Sequence, residues 1–209
     1  MALQPFGDRA LLINWEQRID PELNATVHAW KQAIEQAAIK GVEYSIPAYC
    51  SLTVVFNPLQ IAFETLAEKI QALKIPEPSN GHAGRTIEIP VNYNGADLPE
   101  VAQRTGLSLP EIISLHSNRP YRVYLIGFLP GFPYLGPLPE ALHCPRKQTP
   151  RQSVPAGAVG LAGAQTGIYP FEAPGGWQII GRTLLKVFDA QARDPFLLRP
   201  GDTVIFKPV

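Results

Sequence analysis

The chain is poor in cysteine and has no surplus of charge of either sign. Cys50 and Cys144 are its only cysteines, far apart and outside any paired metal-ligand spacing, which excludes a disulfide framework and a zinc ribbon. Two free thiols in a reducing cytoplasm are the expectation. Lys and Arg together number 18, as do Asp and Glu, so the formal net charge is +0. Such a balance gives no pull toward nucleic acid or an anionic membrane. No apolar run approaches a membrane span. Residues 1–8 lack the basic-then-apolar order of a signal peptide. The expectation is a cytoplasmic protein with neither nucleic acid nor membrane among its partners. A phosphate-cradling P-loop, a dinucleotide fingerprint and a Ser/His/Asp order are also missing. The chain therefore carries no readable nucleotide site and no nucleophile–base pair of its own.

What it has in quantity is proline, 22 residues, and glycine, 17 of 209. They crowd into residues 124–183. There stand Gly127-Phe128-Leu129-Pro130-Gly131-Phe132-Pro133-Tyr134-Leu135-Gly136, the pairs Pro145-Arg146 and Pro150-Arg151, Gly167-Ile168-Tyr169-Pro170, Pro174-Gly175-Gly176-Trp177 and Gly181-Arg182-Thr183. Glycine permits close backbone approach and proline fixes φ. This punctuation predicts short strands on stiff turns, with aromatic rings and arginines displayed on them. Hydrophobic residues make up 45%, enough for a real core.

Periodicity divides the chain in two. Residues 10–15 read as a strand. Asp20 and Pro21 open a helix carrying Leu23, Val27, Trp30, Ile34 and Ala38, closed by Gly41. Residues 42–46 and 52–56 read as strands, and Phe63, Leu66, Ile70 and Leu73 mark a second helix. Two helices on a small antiparallel sheet follow from this. Residues 75–84, which include His82, have the composition of a linker. The expected fold class is α+β, an N-terminal two-layer domain over 1–80 and a β-rich domain over 81–209. In the second part, residues 85–91, 121–126, 160–164, 178–180, 184–188 and 203–207 are strand candidates, favouring a small closed barrel. Asp97 and Ser108 are expected helix N-caps, and Ser108 with Glu111 forms a capping box.

Residues 97–113 resemble a DNA-binding helix-turn-helix, but Leu109, Pro110 and Glu111 occupy the base-reading positions and their helix holds no Lys or Arg before Arg119. A structural helix hairpin is the better reading. Arg146, Lys147 and Arg151 form either an anion clamp or a solvated basic loop. Gln165, Thr166 and Tyr169 would orient a polar ligand or satisfy their own turn. Trp177 is a ligand-facing ring or a core tryptophan, and Arg182 an anion ligand or a cross-sheet ion pair. His28 and His82 read as structural or exposed. His143 beside Cys144 has no further zinc ligands at the required spacing. His116 ends a helix, where the dipole favours it.

These motifs together resemble the family that contains the B subunit of bacterial 5-oxoprolinase, the kinase inhibitor KipI and allophanate hydrolase subunit 1. Its members carry the run from Val123 to Leu135, two Pro-Arg pairs, Val154-Pro155-Ala156-Gly157, the Gln-Thr-Gly-x-Tyr-Pro run, Pro-Gly-Gly-Trp and Gly-Arg-Thr. The resemblance covers essentially the whole chain and extends to half of the carboxyltransferase region of urea carboxylase. It implies a cyclophilin-like β-barrel as the second domain. It also implies one component of an ATP-dependent 5-oxoprolinase, acting with the A and C subunits on 5-oxoproline, with ATP bound through the assembled complex. The implied substrate-binding residues are His116, Arg146, Arg151, Gln165, Thr166, Tyr169, Trp177 and Arg182. A KipI-like inhibitor of a histidine kinase is the alternative; a prolyl isomerase is disfavoured by the missing cyclophilin motifs. Where many relatives have serine, this chain has Ala158 and Ala173.

Overall fold

The computed structural model describes residues 1–75 and 84–209. The expected linker, His82 included, lies almost wholly outside the described residues. By its internal contacts the chain divides into two compact units, Met1–His82 and Ala83–Val209.

In the first unit, β1 (Ala2–Pro5), β2 (Ala10–Asn14), β3 (Val42–Pro47) and β4 (Ser51–Phe56) form an antiparallel sheet in the order β1-β2-β4-β3. Strict alternation puts Leu11, Ile13, Leu52, Val54 and Phe56 on one buried face. Helices α1 (Pro21–Ala37) and α2 (Phe63–Gln71) cover it with Val27, Trp30, Ile34, Leu66 and Ile70. Asp20 caps α1, its carboxylate accepting the Leu23 N–H at 2.8 Å. β1 has no clear signature in the sequence; it forms because it pairs with β2.

The second unit is built on seven strands: β5 (Thr86–Val91), β6 (Pro120–Ile126), β7 (Pro133–Gly136), β9 (Ala158–Ala162), β10 (Gln165–Ile168), β12 (Gln178–Arg182) and β13 (Thr203–Pro208). Their order is β12-β9-β10-β7-β6-β13-β5, antiparallel except for the parallel pair β13–β5. The sheet curls until its edges meet: just beyond β5, Asn92 exchanges backbone hydrogen bonds of 2.9 Å with Arg182 at the end of β12. A separate hairpin joins β8 (Arg151–Val154) to β11 (Ala173–Gly175). Helices α3 (Leu98–Thr105) and α4 (Leu109–Ser117) lay Val101 and Ile112 onto one face of the sheet. The helix hairpin thus has its inner side in the core, and the Ser108–Glu111 capping box is present.

Three local expectations are corrected. Residues 184–188 form no strand; Leu184 is 90% exposed in a long loop, and Phe188 makes only one bridge, to Phe196. Gln165 to Ile168 form strand β10 rather than a turn, because β9 and β7 pair with it on both sides. Asp97 precedes α3 but makes no side-chain cap; its carboxylate is committed elsewhere.

Candidate functional site

Period-two alternation sends neighbouring residues of each strand to opposite faces, so the sheet separates the expected site residues into two groups. Thr166 and Ile168 face the helices; Tyr169 faces away, with Trp177 and Ile179.

On the helix face His116 is fully buried, stacked on Phe206 at 4.5 Å. Its Nδ1 lies 2.7 Å from the Tyr93 hydroxyl and its Nε2 2.9 Å from Thr166 Oγ1. Thr166 spends its proton on the Gly160 carbonyl at 3.1 Å, so Nε2 carries the imidazole hydrogen and Nδ1 accepts from Tyr93. Every polar atom of this chain of contacts is matched with the imidazole neutral. Burial drives the His116 pKa down to about 3 and pushes the Tyr93 hydroxyl up.

The opposite face is paved with rings. Phe132 meets Tyr134, Tyr169 and Trp177 edge-on, at centroid distances of 5.0, 5.1 and 5.2 Å. Two glycines make this possible. A Cβ on Gly167 would stand 2.9 Å from Phe132, and one on Gly175 would stand 2.2 Å from the Tyr169 hydroxyl. Ala158 packs fully buried in this cluster, and Ala173 pairs with Val154 beside it.

Polar groups gather at the rim of the ring-paved face. Asp97, 3% exposed, accepts the Ile179 N–H at 2.7 Å, Lys147 Nζ at 2.8 Å and Arg151 Nη2. Glu100 takes Lys147 Nζ at 2.7 Å and Arg104 at 3.1 Å. Arg151 also reaches the Trp177 carbonyl at 3.4 Å. Arg146 is exposed, makes no ion pair with a described residue, and its charge acts on the Tyr134 and Tyr169 hydroxyls. Burial raises both phenols, and Arg146 opposes that rise. The structure thus brings Arg146, Arg151, Tyr169 and Trp177 together. Arg182 stands apart, exposed and bonded to the Ala156 carbonyl at 2.9 Å, and Gln165 begins β10 next to its turn. Sequence reasoning missed Tyr134, visible only as the alternate residue of a short strand, and Asp97, which has the position of a cap. Among the described residues no cluster of His, Cys, Asp or Glu could hold a metal.

A second feature lies on the loop between β6 and β7. Leu129 N–H donates to the Gly127 carbonyl at 2.9 Å, closing a γ-turn around Phe128, whose φ is +68°. The ring is 62% exposed. It borders a cleft of about 590 Å³ lined by Ile126, Leu129, Phe196 and Leu198, with the Asp194–Arg199 pair, 2.6 Å, at its edge.

The arrangement of strands and helices is shared with solved structures. The crystal structure of the Kluyveromyces lactis urea carboxylase matches 99% of this chain and 21% of its own, with a TM-score of 0.79 at 18% identity, a likeness of fold alone. The chain belongs to the family described as carboxyltransferase domain, subdomain C and D, which it matches over residues 1–198. It is 40% identical to the 5-oxoprolinase B subunit of Bacillus subtilis (strain 168), over 98% of this chain and 91% of that protein. The crystal structure of TTHA0988 matches 96% of this chain with a TM-score of 0.86 and 41% identity. This chain spans only 40% of that protein's length. No helix among the described residues is long and apolar enough to cross a membrane.

Proposed function

We propose that this chain is the B subunit of a cytoplasmic, ATP-dependent 5-oxoprolinase that opens 5-oxo-L-proline to L-glutamate, working with the A and C subunits. The observation that carries this reading is the 40% identity to the Bacillus subtilis protein along nearly the whole of both chains. A lactam is resonance-stabilised, so opening it at neutral pH gains from coupling to ATP through phosphorylation of the amide oxygen. The absence of any nucleotide motif in the sequence supports ATP being bound through the assembled complex. The two compact units are read as domains over 1–80 and 81–209, the second cyclophilin-like. Within it, Arg146, Arg151, Tyr169 and Trp177 would face substrate. Gln165 and Arg182 would line its approaches, and His116 and Thr166 would act from behind the sheet.

Assembly needs a docking face. The Phe128 ring on its strained turn, with Phe196 exposed across the same cleft, supports association with a partner. Co-expression with the A and C subunits, size exclusion and an assay of 5-oxoproline-dependent ATP hydrolysis test the reading. A stable complex that releases glutamate, and a single chain that turns over neither substrate, are the expected results. Separate elution, or a complex inert to 5-oxoproline, would overturn it.

A further inference from the structure

We propose that the outer face of the N-terminal sheet, the one turned away from α1 and α2, is where this chain pairs with a second copy of itself. The inference concerns the first unit and does not depend on the oxoprolinase reading.

An antiparallel sheet with one face on a core and the other in water alternates apolar and polar residues. The first unit keeps only half of that rule. Its inward residues are apolar, as described above. Those between them, which point outward, are Ala10, Leu12 and Asn14 on β2 and Ser51, Thr53 and Val55 on β4. Register adds Ala2 and Gln4 of β1, opposite Asn14 and Leu12, and Tyr44 and Ile46 of β3, opposite Val55 and Thr53. Not one of these residues is charged. The solvent side of the two helices, by contrast, carries Glu22, Glu35, Glu64 and Lys69, all exposed. Tyr44 and Ile46 are more than half exposed, and so is Phe6, whose N–H donates to the Ala10 carbonyl at 2.8 Å. Four strands of four to six residues, at about 4.8 Å spacing and about 3.4 Å rise, give a face of roughly 300 Å² in projection. Uncharged patches of that size mark interaction sites.

The pattern of the face fits its own copy. The strand order is β1-β2-β4-β3, so a twofold axis running along the strands between β2 and β4 lays β2 over the second copy's β4, and β3 over its β1. Ala10, Leu12 and Asn14 are in register with Val55, Thr53 and Ser51. Small then meets large and polar meets polar: Ala10 falls on the second copy's Val55, Leu12 on its Thr53 and Asn14 on its Ser51. Tyr44 falls on its Phe6, and Ile46 on the aliphatic stem of its Gln4. Each contact occurs twice, with the two sheets about 10 Å apart. Electrostatics point the same way. An uncharged face brings no like charges together, and at its Tyr44 end Arg9 and Glu43 neutralise each other at 2.8 Å. A partner selected by charge would find nothing here to recognise. The area lies at the low end for specific interfaces, so the dimer should be a weak one.

The full chain alone is followed by sedimentation equilibrium over roughly 1–200 µM, where weak dimers titrate. A reversible monomer–dimer equilibrium is expected. Thr53 lies beside the axis, so Thr53→Lys would bring two ammonium groups together in a closed interface and should weaken self-association about ten-fold or more. Ile46→Lys, at an exposed side chain, should act in the same sense, and it carries the test if Thr53→Lys loses its native circular dichroism. Leu59→Lys, almost fully exposed between β4 and α2, should leave the equilibrium as it is. Thr53→Cys treated with a short bis-maleimide should give a covalent dimer, because its two copies face each other near the axis. Leu59→Cys should not, and Cys50 and Cys144 are buried. A chain that stays monomeric throughout, or a dimer that both lysine variants leave intact, overturns the proposal. So does cross-linking of Leu59→Cys as readily as Thr53→Cys. A face protected from hydrogen exchange only when the A and C subunits are added belongs to another partner, and that result also overturns the second copy. The oxoprolinase reading is judged separately by turnover of the assembled complex: an inert complex leaves the dimer standing, and a monomeric chain leaves the oxoprolinase.

Discussion

The two faces of the seven-stranded sheet share their strands but differ in what they leave open. On the helix face, Tyr93, His116, Thr166 and the Gly160 carbonyl form a chain in which each donor has one acceptor. Helices α3 and α4 close over it, and nothing is left for a ligand. On the ring face, Phe132, Tyr134, Tyr169 and Trp177 pack as tightly, but the rim ends in Arg146, which makes no ion pair among the described residues. Burying polar groups is tolerable when all are matched, and a site needs some that are not. The same physics therefore makes one face a core and leaves the other a candidate site.

The largest test asks whether the ring face is as much a core as the helix face. Phe132 is fully buried and touches every other ring of the cluster. Phe132→Ala should cost about 3–5 kcal/mol in chemical denaturation, the range for a large buried ring. A loss below about 1 kcal/mol would mean the rings are a loose lining rather than a core.

Asp97→Asn sharpens the comparison at the rim. It leaves Lys147 and Arg151 without their shared carboxylate, but their side chains are 20% and 28% exposed and can recover some hydration. The expected loss in the same measurement is about 2–3 kcal/mol, below the range for a fully buried pair. A change near zero would mean that the network is ornament on the surface.

The helix face has a pH signature of its own. His116 has a folded pKa of about 3 against 6.5 for the free side chain. Between those values the unfolded chain takes up a proton that the folded chain refuses. Stability should therefore fall as pH drops below about 6.5, approaching roughly 1.4 kcal/mol per pH unit from this one group, and level off near pH 3. His116→Gln removes the titrating group and should flatten that limb, after correction for any uniform loss. An unchanged acid limb in the variant would show that His116 is reached by water.

How much of this is legible in the sequence follows from which signals are local. The capping box at Ser108, the cap at Asp20 and the helical spacing of Val27, Trp30 and Ile34 are local, and they appear as read. Strand β10 is hidden because Gly167 resembles turn punctuation. Its reason is the Phe132 ring lying against it, a contact between residues distant in sequence. Asp97 sits where a cap belongs, yet two cations about fifty residues away outcompete the helix for its carboxylate. Residues 184–188 have strand-like composition, but their pairing stops at the single bridge from Phe188 to Phe196. The rings and arginines of the site are visible as residue types. Their division between two faces is not, because it depends on strand register, which composition does not encode.

The smallest expected effect on stability concerns Phe128, and it separates packing from docking. A phenylalanine at φ +68° is strained by roughly 1–2 kcal/mol, and glycine carries no such penalty. Phe128→Gly removes a ring that is 62% exposed, so little packing is lost; its edge contact with Phe132, at 5.7 Å, is the main exception. Glycine's greater freedom in the unfolded chain cancels part of the relief. The net change should lie within about 1 kcal/mol of zero, on the stabilising side if strain dominates. Assembly should respond in the opposite sense: a large aromatic at the centre of an interface is worth about 2 kcal/mol or more, so partner affinity should fall by a factor of roughly thirty. Unfolding and size exclusion on the same variant give both numbers. Unchanged assembly would make the turn a feature of folding alone, whereas unchanged stability with lost assembly would mark it as a contact held in strain for a partner.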